Sequence, residues 1–465
     1  MSKKSKHKSG KRKYRRILRK KQINFHTVMT NKLNGEIHTM VSEKEKYVID
    51  PERSFARNRK ATLEDVVKLT LSMGGANLHK EIYEYYRHDP KKMPSPSALI
   101  QQKAKLKEDF YEVLLHRFNA VCSDTNRYKG YKLYAVDGTD LNVAYDENSP
   151  TYVRYKGNAD GGHNGYNQMH CNLLYDLTKN VFVDLVIQPK QEGNERKALI
   201  SMLQRNTFEE KTVFIGDRGY PSWNVFTHFK YTENADFLIR YSNDQSALVR
   251  ELPLMRLDRD ENITITTNPQ YKTEPGYYFI KTKKNVKKNC EYSDTSRFTD
   301  WDFKMFEKLH LRIVRFKITE DTYETIITSL PRNLFPISEI KKIYALRWKI
   351  ETAFRELKYT MGLTLLHARR EDFVKQEIFA RIIMYNFCER IHSAIRVQQN
   401  KDNKYKYQIN FKMGMRICVD YYRGTVRSTD FYDLIEKHLI PIRPGRSDKR
   451  KIRPKSFISF TYRVA

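Results

Sequence analysis

Between residues 60 and 121 apolar positions recur at helical spacing. Thr62 precedes Leu63, Val66, Val67 and Leu71, a run that stops at Gly74-Gly75 and predicts a capped helix. Asn77 caps a second run, through Tyr86. Ser95-Pro96 opens a third, with Leu99, Leu106, Phe110, Val113 and Leu114 in helical phase. Three short helices suit a helix-turn-helix-like DNA-binding unit. They suit equally a bundle that only packs on the main body.

The texture changes at Tyr131. KLYAVDGTDLNV predicts a strand ending in a turn, and HCNLLYDLTKNVFVDLVIQP predicts two strands joined as a hairpin. Helix follows from Glu192 to Arg205. The apolar strand in KTVFIGDRGY then runs into Asp217, and a helix and the strand ADFLIRYS come next. The order β, β-β, α, β, α, β predicts a mixed α/β sheet with acidic residues at strand ends, where such sheets place their sites. ITITTN, GYYFIKT, LRIVRFKI and TYETIITSL read as strands of a β-rich insertion over 242–329. Helix returns at Ile337 and continues, with breaks, to about residue 397.

Length and composition set bounds on this pattern. A chain of 465 residues has room for about three domains. No apolar run approaches the roughly 18 residues of a membrane span, and no apolar segment follows the basic N-terminus, so neither an integral membrane protein nor a secretory signal is expected. Cys122, Cys171, Cys290, Cys388 and Cys418 are scattered singly, which supports no zinc ribbon or disulfide framework and fits a reducing cytosol. Charge changes the picture most: 86 Lys+Arg against 55 Asp+Glu leave +31, which points to a polyanionic partner, nucleic acid above all. Residues 1–22 carry twelve Lys/Arg and no acid and read as a charge-extended tail; Arg443 to Arg463 hold eight Lys/Arg and one acid.

The most informative stretch is ISEIKKIYALRWKIETAFRELKYTMGL, read as one helix. At about 100° per residue from Tyr344, the apolar Leu346, Leu357, Ile350, Ile343, Met361 and Phe354 fall between about 200° and 280° and must face the core. Arg347, Lys358 and Glu351 fall near about 300°, 320° and 340°, beside that stripe, whereas Glu356 falls near about 120°, on the far side. An ordinary ion-pair ladder on a helix flank is the competing reading, but Glu351 and Lys358 are seven apart, too far for i,i+4 pairing. Metal-assisted phosphoryl transfer needs carboxylates, because magnesium prefers hard oxygen ligands. Asp137, Asp217 and Glu351 could supply a bridging acid and one acid for each of two metals. Taken singly, an Asp in a strand-end turn is more often a turn former or cap. Asp140 is a rival for Asp137, and positions three apart on a strand face opposite sides, so only one can point at the metals. Asp176 and Asp184 read as turn or surface residues.

Tyr344, two residues, Arg347, three residues, Glu351, six residues, Lys358 resembles the signature of DDE transposases of insertion sequence family 4. VDGT around Asp137 and IGDRGY around Asp217 resemble the family's first and second catalytic strands, in the family's order. The resemblance covers about residues 55–400. It implies an RNase H-like catalytic fold interrupted by the insertion, which the 134 residues from Asp217 to Glu351 leave room for. It maps Asp137, Asp217 and Glu351 onto the metal-binding triad, for two magnesium ions with manganese as substitute. Tyr344, Arg347 and Lys358 map onto phosphate-gripping positions. Family members cut the second strand through a DNA hairpin, which calls for an aromatic platform. Trp301 is the positional candidate for it, Trp348 could wall the site, and Trp223 reads as core.

The expected organisation is a basic tail (1–55), a helical DNA-binding domain (56–128), an RNase H-like domain in two parts (129–241 and 330–397) around the insertion (242–329), and a basic C-terminal region (398–465). The expected function is excision of a mobile element at its terminal inverted repeats and joining to target DNA. Water attacks first, and the released 3′ hydroxyl then forms the hairpin. Double-stranded DNA is the expected partner, with a homodimer holding two ends, in the bacterial cytoplasm with the nucleoid. A nuclease of the same fold, or a DNA-binding regulator without catalysis, are the alternatives. Terminal repeats with a target duplication in the flanking DNA would separate them.

Overall fold

The computed structural model describes residues 24–57, 59–122, 125–154, 165–242, 247–250, 252–282, 300–320, 322–400 and 403–443. The tail of residues 1–22 and the basic run after Arg443 lie outside them. The described elements fall into two units, one of helices and one built on a sheet.

In the helical unit, the described part of 1–55 forms α1 (Phe25–Ser42), with Met29, Leu33, Ile37 and Met40 buried along one stripe. Then come α2 (Leu63–Ser72), α3 (Leu78–Tyr85), α4 (Pro96–Lys103) and α5 (Phe110–Val121). The expected caps are made: Thr62 forms a capping box with Asp65, and the Asn77 and Ser95 side chains accept from Lys80 N and Ala98 N. The third predicted run is two helices, because a turn between Ala104 and Asp109 separates α4 from α5.

The sheet unit begins with β1 (Lys132–Asn142), β2 (Tyr152–Arg154), β3 (Gly165–Asp176) and β4 (Val181–Pro189). It continues through α6 (Glu195–Arg205), β5 (Thr212–Gly216), α7 (Trp223–Tyr231), β6 (Ala235–Tyr241) and the short α8 (Ala247–Arg250). β4, β3, β1, β5 and β6 lie side by side in that order, with β3 and β4 each antiparallel to its neighbour and β1, β5 and β6 parallel. This is the RNase H-like mixed sheet. β7 (Leu257–Thr266), β8 (Tyr277–Phe279), β9 (Phe306–Lys317) and β10 (Tyr323–Thr328) extend the same sheet, because β10 pairs antiparallel with β6 and then with β9. Phe214, Phe226, Ile239, Ile265 and Ile313 belong to one continuous core that runs from the first strands into these later ones.

The predicted signature helix is broken once, into α9 (Ile337–Leu346) and α10 (Trp348–Tyr359). Arg347 between them stays in the αR region (φ −51°, ψ −37°), and its amide donates to Tyr344 O, three residues back, at 3.0 Å. The helical phase therefore carries across the break. The chain returns to the helical unit with α11 (Glu371–Ala394), buried on every face, followed by α12 (Phe411–Tyr422) and α13 (Phe431–Lys437); β11 (Tyr407–Gln408) pairs with β12 (Ile440–Pro441).

Candidate active site

The parallel ladder between β1 and β5 ends at the pair Val136–Gly216. Asp137 and Asp217 are the next residue on each chain, so one register places both at the same end of the ladder. Asp137 is not at the end of β1, as the turn reading of VDGT expects. The strand continues against β3 through Asn142, paired with Gln168.

α10 supplies the third acid. Ile350, Ala353, Phe354 and Leu357 bury its inner face, Phe354 stacks on Phe182 of β4 at 6.2 Å, and Lys349 Nζ donates to Leu177 O at 3.0 Å. With the inner face fixed, Glu351 in the first turn and Lys358 in the last take up the flank.

The buried Arg347 guanidinium stands among the three acids. It lies 3.5 Å from Asp137 Oδ2 and 4.0 Å from Asp217 Oδ2, and it donates to Glu351 Oε1 at 3.0 Å. Burial lowers its proton affinity, but Tyr344, Asp217, Asp137 and Glu351 more than offset this, and the pKa rises. Its Nε has no hydrogen-bond partner among the described residues. Tyr344 is buried beneath, and its phenol donates to Asp217 Oδ1 at 3.2 Å; burial first, then the Asp217 charge, pushes that phenol up. Asp137 accepts from Gly138 N at 2.9 Å. Burial, with the charges of Glu351 and Glu195 adding to it, pushes its carboxyl up to about 6 against the pull of Arg347.

Lys358 Nζ donates to Asp140 O at 2.9 Å, and burial holds its ammonium below the usual range. Asp140 itself is turned to other partners: His170 Nδ1 at 2.6 Å and Lys190 Nζ at 2.7 Å, which keep its carboxyl low despite burial. Asp176 accepts from the backbone of its own turn, and Asp184 pairs with Arg205. Trp348 is 60% exposed, with the Arg347 guanidinium 5.3 Å from its ring. Trp301 sits at the margin of the core, its indole N–H donating to Lys304 O at 2.9 Å and its ring 5.5 Å from Phe303. Trp223 packs on Tyr278 at 5.1 Å.

Two nearby residues escape the sequence reading. Arg240 on β6 reaches Asp217 Oδ1 at 3.7 Å and Glu324 Oε1 at 3.3 Å; one base in an apolar strand was the available signal. Glu195, the first residue of α6, lies against Gly138 and Gly219, and nothing in its sequence context separates it from an ordinary helix-start acid.

Among the described residues, no three of these carboxylates bring ligand oxygens within 4.8 Å of one another. They are arranged around Arg347 instead. Even so, hard oxygen donors in excess over the cations beside them, one with a raised pKa, are the donor set a divalent cation requires.

Residues 128–387 match the family model described as a transposase DDE domain. The transposase of insertion sequence element IS421 from Escherichia coli is 36% identical over 58 residues, 12% of this chain and 16% of its own length. The protein InsL of insertion sequence element IS186A from Escherichia coli K12 gives the same 36% over 58 residues, again 12% and 16%. The chain thus matches about a sixth of the length of these relatives. Among solved structures, a piggyBac transposase synaptic complex with hairpin DNA aligns over 93% of this chain and 89% of its own, with a TM-score of 0.42 and 10% identity, too distant to fix chemistry. With the family model spanning more than half of the chain and all three acids inside it, the chain belongs to the DDE transposase family.

Proposed function

We propose that this chain is a DNA transposase of the insertion sequence family 4 type. It binds the terminal inverted repeats of its element, hydrolyses the phosphodiester at each end and joins the freed ends to target DNA. The observation that carries this reading is the convergence of Asp137, Asp217 and Glu351, from three separate elements, on Arg347.

Asp137, Asp217 and Glu351 would hold magnesium, with manganese as substitute. Bound there, the metal supplies positive charge to the attacking and leaving oxygens of the phosphodiester. Arg347, with its Nε unpaired among the described residues, and Lys358 grip the phosphates on either side of the scissile bond, where they favour the more negative transition state. Tyr344 holds Asp217 in place through its phenol. Trp348, exposed beside Arg347, offers a face to an unstacked base on a hairpin route. Trp301 is the second platform, although its N–H is already engaged. A homodimer would bring two ends together.

The test is cleavage of duplex DNA carrying the element end, with magnesium. Asp137→Asn, Asp217→Asn and Glu351→Gln should each abolish strand cleavage and leave DNA binding within a few-fold of wild type. Glu356→Gln, on the opposite helix face, should cut normally. Near-wild-type cleavage by any of the first three removes that residue from the triad. Cleavage without joining to target would favour a plain nuclease.

A further inference from the structure

Glu195 begins α6, where a helix welcomes an acid for its dipole alone. Its surroundings ask for more than that. A Cβ built on Gly138 would lie 2.8 Å from the His170 ring and 2.9 Å from Glu195 Oε1, and one built on Gly219 would clash with Oε2. Gly138 directly follows Asp137, and Gly219 comes two residues after Asp217. Neither glycine takes a positive φ, so the backbone does not demand glycine at either position. At Gly219 glycine leaves room for this carboxylate alone, and at Gly138 it leaves room for the carboxylate together with the His170 ring. In a chain of net charge +31, the only ion-pair partner of Glu195 among the described residues is His170 Nε2, 3.9 Å from Oε1, and His170 is already engaged by Asp140.

We propose that Glu195 is a fourth carboxylate of the active site and helps to hold its divalent cation. Gly219 is the clearance that admits it. The inference rests on the metal-dependent reading of Asp137 and Asp217, and its test keeps the two apart.

Manganese is titrated into the full chain, with free ion read by its paramagnetic resonance. Iron-directed backbone scission with peroxide maps which segments lie near the ion. Glu195→Gln should weaken manganese binding by about tenfold or more, and scission of the wild-type chain should fall near residue 195 as well as 137 and 217. Gly219→Ala keeps every carboxylate but closes the clearance, and it should weaken binding in the same way. If both variants bind manganese like wild type while Asp137→Asn does not, Glu195 is only a helix-start acid and the inference falls. If Asp137→Asn also binds like wild type, the metal reading of the whole site falls with it. A loss of thermal stability in Glu195→Gln with unchanged affinity likewise overturns the inference.

Discussion

Two acids, one in each unit, are shifted in opposite directions. In the helical unit the buried acid Glu377 and the buried base Arg423 are each matched by opposite charge. Glu377 on α11 pairs with Lys103 at 3.4 Å and accepts from His367 N at 2.7 Å. Arg423 donates to Ser72 O and pairs with both Glu81 and Glu84. Burial alone would push the Glu377 carboxyl up, yet Lys103, His367 and Arg381 drive it well below the usual range. In the sheet unit three acids share Arg347, and Asp137 moves the other way, up to about 6. Glu377 is matched by the bases around it, whereas the three acids around Arg347 outnumber it.

The contrast can be broken most directly through stability. Glu377→Gln strands Lys103 in the core and should cost about 3–5 kcal/mol in urea unfolding. Glu351→Gln removes a surplus acid and should cost less than about 1 kcal/mol. Equal losses would erase the distinction.

Acidity gives a second handle, on the helical unit. His26 is buried against Phe431 at 4.4 Å, with Nε2 2.8 Å from Ser428 Oγ, and burial lowers its pKa from 6.5 to about 4. The unfolded chain therefore takes up the proton first. The stability His26 permits is whole above about pH 6.5 and is lost as pH falls toward about 4, by roughly 2–3 kcal/mol. Stability curves between those limits should be flatter for His26→Gln; unchanged curvature would deny that His26 is neutral when folded.

A smaller effect separates the cations of the site from its acids. Lys358→Ala and Arg347→Ala should each slow single-turnover cleavage at saturating DNA by at least about tenfold, or roughly 1.4 kcal/mol. Wild-type rates in both would make the charged flank structural rather than catalytic. The smallest effect concerns the tail: deleting residues 1–22 should lower affinity for all DNA alike and make its salt dependence shallower, since bases without a reading pattern contact only phosphates. Loss of preference for element ends alone would refute that role.

Local periodicity made much of this legible. The phase of 337–363 set Tyr344, Arg347 and Glu351 on one flank, and the structure gathers them, because the turn at Arg347 keeps helical dihedrals. The turn between α4 and α5 was hidden because apolar spacing continued in phase across it. α1 was hidden by its basic neighbourhood, although Met29, Leu33, Ile37 and Met40 carry the stripe. Glu195 and Arg240 depend on which strands lie together, and one chain read in order does not reveal non-local pairing. The same limit concealed that the strands after residue 242 join the main sheet.

That junction has a consequence for the interval between the second and third acids. Tyr241, the last residue of β6, is paired directly with Thr325 of β10. The chain leaves the catalytic sheet and returns to it at almost the same point. In outline β6 and β10 form a hairpin, and everything between them is its loop, grown into strands of its own. Because the two stems are paired, the return of the chain toward α9 and then α10, which bears Glu351, is fixed by the β6–β10 register, while the strands of the loop add their own apolar side chains to the same core.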